Sequence, residues 1–169
     1  MKEQIILVDE NDDQIGEAEK LRAHKAGLLH RAFSVFIFNA KGELILQKRA
    51  TSKYHSGGLW SNSCCGHPRP GEITKSAAER RLGEEMGFFT KLKEVLVFSY
   101  SVELGNGLVE NEIDHVFFGD YDGRVSPDTN EAEDWKWINI RDLENDLQNY
   151  PDSYTYWLKS VFPKVKNLR

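Results

Sequence analysis

The chain has 169 residues, of which 40% are hydrophobic and 29% charged, and this suits one globular domain with a buried core. Its formal net charge of −5 argues against a non-specific nucleic-acid binder, whose surface should be basic. No apolar run approaches the ~20 residues of a membrane span, and residues 1–9 lack a secretory signal. We therefore predict a single domain over residues 1–169, a monomer or homodimer, with neither nucleic acid nor a membrane as its partner.

The first part of the chain alternates short strands with turns. Residues 4–8 are apolar and β-prone, residues 9–13 form a turn, and a second short strand leads into a polar connection over residues 17–24. The run of residues 31–38 is nearly continuous and rich in aromatic side chains, which predicts a strand buried on both faces. After a turn, residues 43–49 return as its hairpin partner.

The second part begins with a loop over residues 50–63, which is long enough to be functional. Thr74 is the predicted N-cap of a helix over residues 75–86, and Gly87 ends that helix. The remaining elements are strands over 95–102 and 108–118 joined by a turn at 105–107, a strand over 135–138, a helix from its cap Asn139 to residue 147, and a last helix over 153–162. This order predicts an α+β fold with a mixed sheet between helices.

Residues 64–68, Cys-Cys-Gly-His-Pro, concentrate groups that perform chemistry. Cys65 beside His67 could be a nucleophile, a metal ligand or a small buried side chain. Because glycine and proline flank the histidine, we expect an irregular loop that presents the Cys65 thiol to a pocket, whereas Cys64 serves packing. Adjacent cysteines have poor geometry for a disulfide, so we expect reduced thiols and a cytoplasmic location.

A second set of residues has the composition of a metal site. Glu110 and Glu112 are two apart on a predicted strand, so both side chains point to one face. Two unpaired carboxylates on a buried face would repel each other, and a cation resolves that conflict. With His24, His30 and His67 they would suit Mn²⁺, Mg²⁺ or Zn²⁺ in five- or six-coordinate geometry. The alternative is an edge strand on which Glu110, Glu112 and Asp114 face water.

The segment from Gly66 to Phe88 has the spacing G-x5-E-x7-R-R-L-x-E-E-x-G-F. This resembles the Nudix box, G-x5-E-x7-R-E-U-x-E-E-x-G-U, in which U is a bulky apolar residue, and it implies the Nudix fold. Arg81 stands where the family has a glutamate, and exchanging a carboxylate for a cation should weaken metal-assisted hydrolysis and favour direct phosphate contact. The alternative is an exposed helix on which Arg80–Glu84 and Arg81–Glu85 are surface ion pairs.

Three further segments narrow the resemblance: residues 59–68 (LWSNSCCGHP), 29–34 (LHRAFS) and 109–112 (VENE). Together they are similar to type 1 isopentenyl-diphosphate Δ-isomerases, a branch of the Nudix superfamily that does not hydrolyse. The similarity runs from residue 5 to about residue 162. It implies the reversible conversion of isopentenyl diphosphate to dimethylallyl diphosphate, a step of isoprenoid biosynthesis.

The resemblance also implies roles for individual residues. Cys65 and Glu112 match the two catalytic groups. The ligands of a first divalent ion match His24, His30, His67, Glu110 and Glu112. A second ion, Mg²⁺, would bind Glu85 and the backbone around Cys65 and bridge to the diphosphate. The groups around the substrate match Lys20, Arg49, Lys53 and Arg81 at the diphosphate and Trp157 over the carbon skeleton.

Elementary chemistry is consistent with these roles. Moving a double bond by one position needs a proton delivered to one carbon and another removed nearby, which two acid/base groups on opposite faces achieve. The tertiary carbocation between these steps is stabilised by an indole face. Two alternatives stay open, namely a Nudix hydrolase of another diphosphate, favoured by the retained Glu84–Glu85 pair, and a non-catalytic metal-binding module. The discriminating feature is Cys65 with Glu112, since hydrolysis needs no such pair.

Overall fold

A mixed sheet of nine strands forms the centre of residues 2–169, the part of the chain that this computed structural model describes. Residue 1, at the start of the predicted domain, lies outside the described residues. The strands are β1 (Gln4–Val8), β2 (Gln14–Glu19), β3 (His30–Phe38), β4 (Leu44–Arg49), β5 (Trp60–Ser61), β6 (Cys64–Gly66), β7 (Lys93–Gly105), β8 (Leu108–Asp120) and β9 (Ala132–Ile138). The helices are α1 (Lys20–Ala26), α2 (Thr74–Met86), α3 (Ile140–Asn149) and α4 (Tyr156–Val165), with a 3-10 turn over Pro151–Ser153.

Strand β3 is the central strand, because it pairs along both of its edges. On one edge it runs parallel to β8, from His30 opposite Glu112 to Phe38 opposite Asp120. On the other edge it pairs antiparallel with the short strand β6, which places Ser34 opposite Cys65. Beyond β8 lies its hairpin partner β7, and β1 continues the sheet from the start of β3 to β2.

The two faces of β3 are buried against different helices. Phe33, Val35 and Ile37 contribute to a core cluster with α2. Phe36 and Phe38 point the other way, into a cluster with α3 and α4. The predicted strand buried on both faces is therefore confirmed, and so is the predicted α+β arrangement of a mixed sheet between helices. Among residues 2–169, no helix combines the length and apolar character needed to cross a membrane.

Two predictions about the first part of the chain need correction. The polar connection over residues 17–24 is instead the end of β2 followed by α1, which stops at Gly27 in the left-handed conformation. The predicted hairpin of β3 with β4 is reduced to one residue pair, Phe38 with Leu44, and β4 pairs mainly with β9. The reason is that β8 and β6 already occupy both edges of β3.

Two helix starts also differ from the prediction. Thr74 is the first residue of α2, and the capping position is Ile73, which has no side-chain cap. The last helix begins at Tyr156, because Pro151 starts a 3-10 turn and the Thr155 amide donates to the Trp60 carbonyl (2.9 Å). The predicted cap at Asn139 is confirmed, since its side chain accepts the Arg141 amide.

The end of α2 gives a prediction about stability. Gly87 has φ +76°, and a Cβ built there would lie 2.1 Å from the Ser126 carbonyl oxygen. Gly42 has the same φ, +76°, with nothing within 4 Å of a built Cβ. We expect Gly42→Ala to lower the free energy of unfolding by about 1–2 kcal/mol through the left-handed backbone alone. Gly87→Ala should cost roughly 1–3 kcal/mol more because of the clash.

Urea unfolding of both variants measures this difference. Equal losses in the two variants would contradict the tight contact between the end of α2 and the loop that holds Ser126.

Candidate active site

One cavity, with a volume of about 830 Å³, brings together most of the residues that the sequence singled out. Those lining it are Cys65, His67, Glu85, Glu110, Glu112, Lys20, Arg49, Lys53, Arg81 and Trp157. His24 and His30 are fully buried beside it. The cavity lies where β6, the second half of α2, the loop after β4 and the start of α4 meet, so distant parts of the chain contribute to one site.

Three histidines and one carboxylate form a tight group at this cavity. Four buried residues each place one ligand atom within 4.8 Å of the ligand atoms of the others: His24, His30, His67 and Glu112. His24 Nδ1 donates to the Lys20 carbonyl, and His30 Nδ1 donates to the Leu28 carbonyl, both at 2.7 Å. These hydrogen bonds fix the tautomer, so the Nε2 lone pair of each ring faces the group, as in metal-binding histidines.

The electrostatics of this group fit a divalent cation. Burial lowers the pKa of His67 to about 4 although Glu112 opposes the shift, so its imidazole is neutral at neutral pH. Burial alone would raise the pKa of Glu112, but the neighbouring imidazoles of His30 and His67 hold it well below its ordinary value. Among the described residues, His24 Nε2 is buried without a hydrogen-bond partner. Neutral imidazoles around an anionic carboxylate are the donor set that such a cation needs.

Glu110 lies next to this group and shares a partner with Glu112. The Tyr100 hydroxyl is 2.9 Å from Glu110 Oε2 and 2.6 Å from Glu112 Oε2. Burial and the negative charge of Glu112 raise the pKa of Glu110 well above its ordinary value. The alternative in which these carboxylates face water is wrong, because Glu110, Glu112 and Asp114 are only 4%, 5% and 1% exposed.

Tyr100 was not predicted as a site residue, although the sequence carried a signal for it. The turn at residues 105–107 joins β7 to β8, and this turn sets the pairing that places Tyr100 opposite Glu112. Counting backwards from that turn along the two strands would have brought the hydroxyl to the carboxylates.

Cys65 holds its thiol on the cavity side of β6. Its Sγ lies 3.6 Å from both Ser61 Oγ and Asn62 Oδ1. Burial, together with the charge of Glu85, raises its pKa to about 12, so the group is a protonated thiol at neutral pH. Cys64 points the other way into the core cluster with α2, which confirms its predicted packing role.

Aromatic rings form the wall beside the thiol. The Trp157 indole Nε1 donates to Ser61 Oγ at 2.8 Å, which fixes the ring orientation. The Arg49 guanidinium lies 5.1 Å from the Trp157 ring centroid, and His55 meets the same ring edge-on at 5.7 Å. His55 was missed in the sequence because nothing in the spacing of residues 50–63 links it to His24 or to Trp157. Burial, reinforced by the charge of Arg49, lowers its pKa to about 3.

The cavity is also lined by basic side chains. Its cations are paired with carboxylates: Lys20 with Glu3 (3.1 Å), Lys53 with Glu131, and Arg81 with Glu84 (2.6 Å) and Glu85 (2.7 Å). The other oxygen of Glu85 accepts Gln47 Nε2 at 2.7 Å, so both oxygens of that carboxylate are held. Gln47 was not predicted, because it lies in β4 and is far in the sequence from Glu85, the residue of α2 that it contacts.

The alternative of an exposed helix face describes only part of α2. Arg80 pairs with Glu84 (3.1 Å) at the surface and with Glu72 (2.7 Å), which clamps the preceding loop to the helix. Arg80, Arg81 and Glu85 all line the cavity, and Glu85 is only 5% exposed.

Residues 28–158 of this chain match the NUDIX domain family. A crystal structure of a Deinococcus radiodurans protein is similar over 96% of this chain and 98% of that protein, with a TM-score of 0.80 and 19% identity. An Ap4A hydrolase of C. elegans is similar over 82% of this chain and 96% of that protein, with a TM-score of 0.59 and 19% identity. These likenesses indicate the fold, and the predicted Nudix fold is confirmed.

Relatives of higher sequence identity indicate the branch of the Nudix family. An isopentenyl-diphosphate Delta-isomerase 2 of Aromatoleum aromaticum is 50% identical over 169 residues, covering 100% of this chain and 89% of the relative. A protein of the same name from Photorhabdus laumondii is 53% identical over 161 residues, covering 95% of this chain and 91% of the relative. The chain belongs to the Nudix family and, within it, to the isopentenyl-diphosphate Delta-isomerases.

A buried acid below the site gives a prediction about pH. The Ser34 hydroxyl donates to Asp114 at 2.7 Å, and burial, together with the charge of Glu112, raises the Asp114 pKa from 3.8 to about 8. Between these values the folded chain retains a proton that the unfolded chain releases, so this group makes stability fall as pH rises. Asp114→Asn removes that slope and should stabilise the metal-free protein at pH 8 by on the order of 1–3 kcal/mol.

Urea unfolding between pH 5 and pH 8 tests this expectation, with the exposed Asp13→Asn as the control. If Asp114→Asn left the pH dependence of the unfolding free energy unchanged, this would contradict a protonated acid at this position.

Proposed function

We propose that this chain catalyses the reversible isomerisation of isopentenyl diphosphate to dimethylallyl diphosphate. The observation that carries the proposal is a single cavity lined by a thiol, Cys65, a buried carboxylate, Glu112, and a set of cations. A hydrolase would need no thiol. The kinship with isopentenyl-diphosphate Delta-isomerases over the whole chain supports the same reaction.

Cys65 and Glu112 are the proposed acid/base pair. Cys65 holds a proton and Glu112 does not, because burial raises the thiol pKa while His30 and His67 keep the carboxylate pKa low in spite of its burial. The site thus offers one proton donor and one acceptor. One proton is added to the double bond, a tertiary carbocation forms, and a second proton is removed from the neighbouring carbon. Tyr100 orients the carboxylate through its 2.6 Å hydrogen bond.

Trp157 is the proposed aromatic partner of the carbocation. Its indole is locked by Ser61 and is 4% exposed, so it offers a fixed ring face and keeps water from the cation. Cation–π attraction of this kind contributes about 0.5–2 kcal/mol, more when the site is dry. Excluding water also prevents capture of the cation as an alcohol.

The basic side chains of the cavity would anchor the diphosphate. Lys20, Arg49, Lys53 and Arg81 would contact its oxygens, and binding of this group would orient the reacting carbons. Glu85 and the backbone at Cys65 would hold Mg²⁺, and His24, His30, His67, Glu110 and Glu112 would hold a second ion, Mn²⁺, Mg²⁺ or Zn²⁺. Such ions supply positive charge that neutralises the diphosphate and the buried carboxylates. The cytoplasmic location, the monomer or homodimer and the absence of nucleic-acid and membrane partners stay predictions.

The reaction is tested by incubation with isopentenyl diphosphate and Mg²⁺ in deuterated water. An isomerase incorporates deuterium into dimethylallyl diphosphate without phosphate release, because the added proton comes from an exchangeable group. Mass spectrometry detects the label and a colorimetric assay detects phosphate. Phosphate release without labelled product would instead support a Nudix hydrolase.

The residue roles are tested by three variants. Cys65→Ala and Glu112→Gln should each lower kcat by on the order of 10²–10⁴-fold or more, since each removes one proton-transfer group. Cys64→Ala is the matched control, because its thiol lies in the core and it should retain most of the activity. Bound metal is quantified in each variant, since Glu112 is also a proposed ligand. Near-normal turnover in Cys65→Ala would refute the mechanism.

A further inference from the structure

Glu131 lines the cavity without belonging to any predicted set of site residues. It immediately precedes β9, and its carboxylate joins two of the cations proposed to hold the diphosphate. One oxygen, Oε2, accepts a hydrogen bond from Lys53 Nζ. The other oxygen, Oε1, lies 3.2 Å from Arg81 Nη2. The two bases come from separate elements, the loop after β4 and helix α2.

The backbone around Glu131 ties the same elements together. Its carbonyl accepts the Ala50 amide at 3.0 Å, at the start of the loop that holds Lys53. Three residues earlier, the Asp128 amide donates to the Glu85 carbonyl at 3.0 Å, at the end of α2. Glu131 is therefore anchored to both elements whose cations it contacts, and its side chain is held between them.

Lys53 depends on this carboxylate more than Arg81 does. Arg81 has two other carboxylate partners, Glu84 and Glu85. Within residues 2–169, Lys53 has Glu131 as its sole carboxylate partner within 4 Å. Burial alone would raise the pKa of Glu131, but the hydrogen bond from Lys53 and the charge of Arg81 lower it below its ordinary value. The bridge is thus ionic at neutral pH.

We propose that Glu131 is a positioning residue, which holds Lys53 and Arg81 at a fixed separation so that both meet the diphosphate at once. This inference rests on the proposed function, in which these two cations bind that group. Lysine is a flexible side chain that loses considerable rotamer entropy when it is fixed. A carboxylate that fixes it beforehand spares that cost at the moment of binding.

The direction in which Glu131→Gln changes diphosphate affinity distinguishes this role from simple electrostatic repulsion. A carboxylate near a diphosphate repels it, so a purely electrostatic role predicts that Glu131→Gln tightens binding. The positioning role predicts the opposite. Glutamine keeps the shape of the side chain but has one acceptor oxygen for two cations. Its amide NH2 group would face the second cation and could not accept from it.

The matched control is Glu133, two residues further on. Its exposed carboxylate holds the same loop from outside the cavity, accepting the Thr51 amide (3.1 Å) and hydroxyl (2.6 Å) and pairing with Lys48 (3.0 Å). Glu133→Gln therefore removes an equal charge and a comparable set of loop contacts without touching Lys53 or Arg81.

The experiment measures binding of inorganic diphosphate with Mg²⁺ by calorimetry, and steady-state turnover of isopentenyl diphosphate. In Glu131→Gln we expect Kd for diphosphate and KM to rise about 10- to 100-fold, while kcat changes less than about threefold. Glu133→Gln should leave all three values near those of the unaltered chain. Glu131→Asp keeps the charge but is too short to reach both cations, so it should also weaken binding.

Three results would overturn the proposal. Binding that stays equal or becomes tighter in Glu131→Gln would reduce the carboxylate to a repulsive charge, and Glu131→Asp decides the matter if the glutamine variant does not fold. An equal loss in Glu133→Gln would assign the effect to loop stability. A kcat loss at unchanged KM would assign Glu131 to chemistry instead of positioning. If the unaltered chain binds diphosphate but does not turn over isopentenyl diphosphate, the proposed function fails. The comparison of diphosphate affinities still tests the positioning role of Glu131.

Discussion

The parallel pairing of β3 with β8 is the constraint on which the rest of the site depends. It sets His30 opposite Glu112, and the hairpin of β8 with β7 sets Tyr100 on the other side of the same carboxylate. Because side chains alternate between faces of a sheet, a slip of one residue would send Glu110, Glu112 and Asp114 into the opposite layer. The buried acids are tolerable only in the register that brings imidazoles and a phenol to them.

The cavity is lined by side chains of both charges, which the total of −5 conceals. Buried carboxylates lie beside His24 and His67, whose pKa values burial lowers, and this leaves negative charge suited to a cation. Lys20, Arg49, Lys53 and Arg81 line the same cavity and supply positive charge. A ligand with an anionic head and an apolar tail matches this lining, since the cations attract its head and the ring of Trp157 offers its tail an apolar contact.

The parts of the molecule that short sequence patterns specify were predictable. The apolar run that became β3, the glycine that ends α2 and the spacing of the Nudix box each depend on neighbouring residues. Tyr100, Gln47, His55 and Glu131 were missed because each acts through a contact with a distant element. Helix α1 was missed because it has seven residues and no side-chain cap, so no helical start signal marks it. His24 entered the predicted site as one of the histidines that could complete the donor set, and the family resemblance implied its role as a ligand.

Arg81 changes which ligands the carboxylates around this helix can bind. Glu84 and Glu131 each pair with Arg81, and so does one oxygen of Glu85, whose other oxygen accepts Gln47. Carboxylates that bind a guanidinium have fewer lone pairs free for a cluster of cations, and such a cluster is what activates water in metal-assisted hydrolysis. The retained Glu84 is 40% exposed at its side chain and belongs to this ion-pair network. With arginine at position 81, the carboxylates of this Nudix helix therefore bind one guanidinium.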